Sequence, residues 1–518
     1  MKPEIKSHSL RFRAMLISCF LLLCLGLAGA LVQRPRRVGN PPLASDRLIV
    51  VNKGDNLQKA IDRAMPGDTI VLQAGATFAG PFVLPVKPGA SYVTLQTNAL
   101  ERLPEGVRVK PSQASAMAQL TSPKGEPVIR TASGAHHYKF IGIEFAPAAD
   151  DFAVSDLIRL GDSGRNQQTL DSVPHHFTID RCYIHGNPNQ EMQRGISLNS
   201  GESEISNCFI SDIHGRGYDS QAICGWNGPG PYKIVNNHLE GAGENIMFGG
   251  ADPSIRNLVP TNIEIRNNRL YKPLDWQPSG SHWSVKNLLE LKNARNVIID
   301  SNLLENCWID AQVGYAVQFT VRNQDGGAPW STLENISFTN NVVRNSESGL
   351  NLLGSDNDHP SQRASGVEVR NNYFPDLRST FIQINGFNNV VIAHNTHVQR
   401  GNILTLYGER SLNFVYRDNI TIRSATGYGI KGDASGEGTV ALQQFTPNFT
   451  VVGNVLVQAS RSQYPADNYF PGSIGEVGFT GPPTDLRLRL NSPFKNKASD
   501  SGDPGCSSDL LESVSVNK

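Results

Sequence analysis

The sequence predicts an all-β fold, a right-handed parallel β-helix (single-stranded solenoid) with a short N-terminal capping helix. Three observations predict it. A six-residue motif returns ten times between residues 179 and 456, strand-like segments fill the intervals, and an amphipathic helix runs straight into a strand.

The motif is apolar-x-x-(Asn or Cys)-x-apolar. It reads IDRCYI (179–184), ISNCFI (205–210), IVNNHL (234–239), IRNNRL (265–270) and IDSNLL (299–304). It continues as FTNNVV (338–343), VRNNYF (369–374), IAHNTH (392–397), YRDNIT (416–421) and VVGNVL (451–456), and FIGIEF (140–145) is a degenerate earlier copy. Its fourth position forms a column of Cys182, Cys208, Asn237, Asn268, Asn302, Asn341, Asn372, Asn395, Asn419 and Asn454. Asparagines stacked rung upon rung can bond to one another as in other polar ladders, so this column is structural. Copies lie 23 to 39 residues apart. The shortest interval suits one coil of three short strands, and the excess must leave as loops. Eleven rungs at roughly 4.8 Å each make a rod about 50 Å long. Each rung packs only on its neighbours, so a solenoid can exceed the size of an ordinary domain. A leucine-rich horseshoe would need L-x-x-L-x-L repeats, which are absent.

Leu57, Ala60, Ile61, Ala64 and Met65 recur at helical spacing between a start at Asp55 or Asn56 and a stop at Pro66-Gly67. The strand TIVL (69–72) follows. A short helix here suits a plug over the open end, where a bare terminal rung would expose core and strand edges.

Residues 1–30 read as an export signal. Lys2, Lys6, Arg11 and Arg13 precede an apolar run from Ala14 to Ala30 that ends in Ala28-Gly29-Ala30. A secreted or periplasmic protein follows, with an uncleaved N-terminal membrane anchor as the alternative. Residues 31–46 read as a linker, 47–480 as the β-helix with its cap, and 481–518 as a tail packing on or capping it. Lys plus Arg equals Asp plus Glu at 47 each, which argues against nucleic acid or an anionic membrane as partner. Of seven cysteines, Cys19 and Cys24 fall in the signal. The remaining five are an odd number without zinc-type spacing, so at least one thiol stays unpaired. A monomer is expected.

The opening LQKAIDRAMPGDTIVLQAG resembles the start of many pectate-lyase-like parallel β-helix proteins. From Ile179 onward, AICGWNGPGPYKIVNN, ENIMFGGADP, FTVRNQDGGAPW and SPFKNKASDSGDPG resemble a group of secreted right-handed β-helix proteins of unassigned activity. The resemblance implies the fold, and for chemistry that relatives commonly act on acidic polysaccharides.

Between ladder positions lie second strands such as GISLN (195–199), QAICGW (221–226), NIMFGG (245–250), NLLELK (287–292), AVQFTVR (316–322), GLNLL (349–353), FIQIN (381–385) and ILTLY (403–407). Alternation turns Glu290, Lys292, Gln318, Thr320, Arg322, Asn351, Gln383 and Asn385 outward onto one face. Long insertions at 250–262, 271–286, 305–314, 323–334 and 354–366 should wall a groove there, and long loops on a rigid scaffold are where function gathers. Polysaccharide is the expected partner, with Trp226, Trp283, Trp330, Gln318, Asn351 and Gln383 as candidate sugar contacts. A uronate lyase needs a base and a cation; Lys292 is the candidate base and Arg322 the cation. No cofactor is demanded, though calcium on Asp356 or Asp358 suits carboxylate oxygens. A glycoside hydrolase would instead pair Glu290 with Asp325, Asp356 or Asp358. A non-catalytic glycan-binding surface is a third reading.

Polygalacturonase, pectate-lyase and pectinesterase signatures are missing, and the paired Asp150-Asp151 lies too early in the chain. His136-His137 and His175-His176 read as turn residues just before strands, as do His185 and His214 after theirs. The sequon at Asn419 coincides with the ladder and should be inaccessible.

Overall fold

The structure is a computed structural model that describes residues 46–509 except 124, 149–153, 281–282, 425, 482–484 and 508. The expected export signal, Cys19, Cys24, nearly all of the linker, Asp150-Asp151 and the last residues of the tail lie outside the described residues. The described chain belongs to one compact unit, Pro42–Lys518. Among the described residues, no helix is long and apolar enough to cross a membrane.

Three long sheets wind around one core. The first has 14 strands, from Leu48–Val51 and Thr69–Leu72 to Phe449–Val452. The second runs from Phe82–Leu84 to Gly436–Glu437 and the third from Thr77–Ala79 to Val455–Val457, with 13 strands each. Pairing within them is parallel, except where Gly436–Glu437 folds back antiparallel on Ile430–Gly432. One apolar cluster extends from Val51 to Tyr464, filled from all three sheets. This is the predicted parallel β-helix, with more rungs than the motif alone reveals.

The N-terminal plug is helix Leu57–Arg63, whose first turn is capped by Asn56 accepting from the Lys59 N–H. Leu57, Ala60 and Ile61 are buried beneath it. Met65 falls beyond the helix and stays exposed, and the strand Leu48–Val51, unread in the sequence, pairs with Thr69–Leu72 ahead of the expected first strand. At the other end, helix Thr439–Phe445 buries Ala441, Leu442 and Phe445. The tail packs Val477, Phe479, Leu486 and Phe494 against Leu303, Val342, Ile420 and Val455 along the side of the third sheet.

The asparagine column is a continuous hydrogen-bond ladder. Asn302 Oδ1 accepts from the Asn268 N–H at 2.9 Å and from Asn268 Nδ2 at 3.1 Å, while Asn302 Nδ2 donates to Ile265 O at 2.9 Å. The pattern runs from Asn237 through Asn454 and ends on Asn468, one member more than the motif predicts. Cys208 and Cys182 begin the column, with the Cys182 N–H 3.4 Å from Cys208 Sγ. All five described cysteines are free thiols. The residue before each ladder position takes a left-handed φ, as at Asn236, Asn267, Ser301, Asn340, Asn371 and Asp418. That explains why Asn so often precedes the ladder Asn, since short polar side chains tolerate this region best.

Candidate functional site

The second sheet carries the polar face. Register aligns Cys224, Met247, Glu290, Gln318, Asn351, Gln383, Thr405 and Lys431 in one column. Asn351 Nδ2 donates to Gln318 Oε1 at 3.0 Å and Gln383 Nε2 to Asn351 Oδ1 at 3.3 Å, so these three amides form a short ladder of their own. Gln383 also accepts from the Tyr315 hydroxyl at 2.8 Å.

Strict alternation fails one step earlier on each strand. Ala222-Ile223, Leu288-Leu289, Ala316-Val317 and Phe381-Ile382 all send both members into the core. Two consecutive inward residues shift the phase, as a bulge does. A second polar column therefore precedes the first, aligning Asp156, Arg194, Gln221 and Glu244.

Glu244 is the residue sequence reasoning missed, because its strand was read from Asn245 onward and the doubled inward position was not foreseen. Its side chain is fully buried. Burial, then the neighbouring Glu290, push its carboxyl up to about 8, which favours its protonated form. Gln221 Nε2 donates to Glu244 Oε2 at 2.9 Å. Glu290, on the next rung, accepts from Asn287 Nδ2 at 3.1 Å and pairs with Lys292 Nζ at 3.5 Å. Lys286, paired with Asp219, and Gln312, bonded to Asn287 and Gln318, come from the insertions.

This geometry changes the expected roles. Burial pulls Lys292 down, but Glu290, Glu244 and Asp219 outweigh it and hold the ammonium above its ordinary value. Lys292 is thus a cation here, poorly suited to act as a base. The Arg322 backbone lies beside Lys292, its N–H donating to Lys292 O at 3.0 Å, but its guanidinium turns to Asp356 at 3.4 Å. Asp356 also accepts the N–H groups of Asn323 at 2.6 Å and Asp358 at 2.9 Å. Burial alone would raise Asp356, yet these donors and Arg322 bring it below the usual carboxylate range. Asp356 therefore caps its own loop, and Asp358 is an exposed loop residue. The carboxylates expected to hold calcium are not gathered into a metal cluster among the described residues.

Trp283 is also corrected. It is buried in a satellite core with Trp276, Val285 and Trp308, its ring stacked 3.8 Å from His214. Trp330 pins its loop through Nε1 to Leu258 O at 3.0 Å. Trp226 stays partly open, 5.2 Å beneath the Arg194 guanidinium, which pairs with Asp156. Thr320 is buried, and Asn385 caps the Glu409 N–H. The paired histidines are strand residues rather than turn residues, opening His136–Ile141 and His175–Asp180.

Gln221 Oε1, Glu244 Oε1 and Asn287 Oδ1 are buried without a hydrogen-bond partner. Carboxylate and amide oxygens are the kind of ligand that a hard cation such as calcium takes.

No family model and no curated protein matches the chain. Solved structures do. The catalytic unit of a thermostable GH87 α-1,3-glucanase from Streptomyces thermodiastaticus strain HF3-3 superposes with a TM-score of 0.53 at 12% identity, covering 82% of this chain and 70% of that one. A PL6 family alginate lyase, AlyGC, gives 0.49 at 13% identity, covering 89% of this chain and 57% of that one. The pectate lyase Pel9A gives 0.33 at 14% identity, covering 90% and 96%. The chain is a right-handed parallel β-helix protein. It spans little more than half the length of the alginate lyase. At these identities the likeness establishes the fold alone, and activity must be argued from the site.

Proposed function

We propose that the protein is an exported polysaccharide-active enzyme that hydrolyses a glycosidic bond with Glu244 and Glu290. One observation carries this reading: the fully buried Glu244 carboxyl stands one rung from a second carboxylate, Glu290, that is ion-paired to Lys292. Acid-assisted glycoside cleavage needs two carboxyl groups flanking the bond, one of them able to give a proton. To give its proton to the leaving oxygen, the buried Glu244 must first be uncovered by movement of the residues packed on it. Glu290, oriented by Asn287 and Lys292, serves the other side of the reaction. Trp226, Gln318, Asn351 and Gln383 supply the neighbouring sugar contacts.

A second reading, β-elimination on a uronate, has its own observation. Lys286, Lys292 and Arg194 bring positive charge to the same face, and the unpartnered oxygens of Gln221, Glu244 and Asn287 suit calcium. Calcium held there with Glu290 would supply positive charge toward a substrate carboxylate, while Lys292 would orient it.

The test is a panel of neutral and acidic polysaccharides, with and without calcium, read for reducing ends and for the ultraviolet absorbance of unsaturated uronate. Hydrolysis predicts reducing ends without unsaturation, abolished in Glu244→Gln. Unsaturated products move the assignment to elimination. Retention on a glycan without any product overturns both and leaves a binding protein.

A further inference from the structure

The histidine pairs of the first sheet form a cluster that the carboxylate face does not use. His136 and His175 occupy the same position on consecutive rungs, and the next rung continues with Gly201. His137, His176 and Glu202 sit between paired residues, with φ of 60°, 60° and 43°. This left-handed step breaks the alternation, so both imidazoles of each pair leave the sheet on one side and meet. His136 Nδ1 lies 2.8 Å from His137 Nδ1, and His175 Nδ1 lies 2.6 Å from His176 Nδ1. Across the rungs the rings stack, with centroids 5.0 Å apart for His136 and His175 and 4.3 Å apart for His137 and His176.

Elsewhere in this column the left-handed position is Asn262, Asn296 and Asn335, and amide bonds of 3.1 and 3.0 Å link them. Stacking alone is therefore met by asparagine, and the histidines bring a different chemistry. Two facing Nδ1 atoms can share at most one proton, so each pair directs a lone pair into the cluster. His176 Nε2 lies 2.8 Å from Glu202 Oε2, which fixes its Nε2–H and frees Nδ1. One ligand atom each from His137, His175 and His176 lies within 4.8 Å of the others, and all three rings are half-buried, open to a solvated ion. Zinc–nitrogen bonds of about 2.0–2.1 Å would place tetrahedral ligand atoms roughly 3.3 Å apart, a small adjustment from this arrangement.

We propose that His137, His175 and His176 bind one divalent transition-metal ion of the zinc class, with His136 at hand as a fourth nitrogen and Glu202 as the outer carboxylate. The ion would clamp consecutive rungs of the first sheet. This site is on a different sheet from Glu244 and is independent of the reaction assigned there.

The test uses tag-free protein stripped with EDTA and titrated with Zn(II) by calorimetry, with Co(II) absorption as a second readout. One ion per chain, a higher melting temperature on binding and a tetrahedral Co(II) spectrum are expected. Glu202→Gln should weaken binding about tenfold or more, and His175→Gln with His176→Gln should abolish it. Circular dichroism melts in EDTA verify that each variant folds. No saturable binding in the parent protein overturns the proposal. So does unchanged binding in the folded double variant, or loss only in His394→Gln, whose imidazole lies near Asp418 and Asp500.

Discussion

Glu244 lies fully buried one rung before Glu290 on the polar face of the second sheet, and burial and that neighbour both raise its carboxyl. The relationship has a thermodynamic consequence. A carboxyl raised in the folded state contributes stability that is fully present below its unfolded value of 4.5 and is lost as pH rises through about 8. With about 1.36 kcal/mol per pKa unit, a rise from 4.5 to about 8 corresponds to a loss of up to about 5 kcal/mol of unfolding free energy across that window through this group. Glu244→Gln, neutral at every pH, should remove that part of the slope in urea melts at a series of pH values. Parallel slopes for the two proteins would contradict the assignment.

Activity should follow the same pair. Glu244→Gln and Glu290→Gln should each lower kcat by about 100-fold or more, the range typical of a lost general acid or its partner. Lys292→Met should act mainly on KM for acidic glycans, because its ammonium is a cation beside the site rather than the base. A kcat loss in Lys292→Met as large as in Glu244→Gln would restore lysine to the role of base.

The ladder makes a stability prediction. Asn302→Ala removes the acceptor of the buried Asn268 N–H, one of the two bonds of Asn268 Nδ2, and the side-chain donor to Ile265 O. The cost should be at least about 2–3 kcal/mol by denaturant melts. Its neighbour Ser301 has φ 57°, so Ser301→Gly should be neutral or stabilising while Ser301→Val costs about 1–2 kcal/mol.

Trp283 and Trp226 should separate cleanly. Trp283→Ala empties a packed satellite core and should cost about 3–5 kcal/mol. Trp226→Ala, which loses one partly exposed Arg194 contact, should cost about 1 kcal/mol while lowering glycan affinity.

These cases show what could be read from the residues. The ladder was legible because an inward Asn can recur only where the backbone repeats, and the same repeat aligned Glu290, Gln318, Asn351 and Gln383 correctly. The N-terminal plug was legible from helical spacing and the Asn56 cap. Glu244 was not, because a doubled inward residue at Asn245-Ile246 looks, in one dimension, like ordinary strand. The histidines were misplaced for a related reason: a left-handed residue inside a strand resembles a turn. Trp283 could not be assigned because an insertion carries no periodicity to say which of its aromatics face the helix.

The most direct measurement is infrared difference spectroscopy of the parent protein against Glu244→Gln, titrated across neutral pH. A protonated carboxylic acid band present at neutral pH, fading as pH rises through about 8 and missing in the variant, is the predicted result. Identical spectra for the two proteins at neutral pH would mean that Glu244 is already ionised, and the acid–base reading of this face would fall.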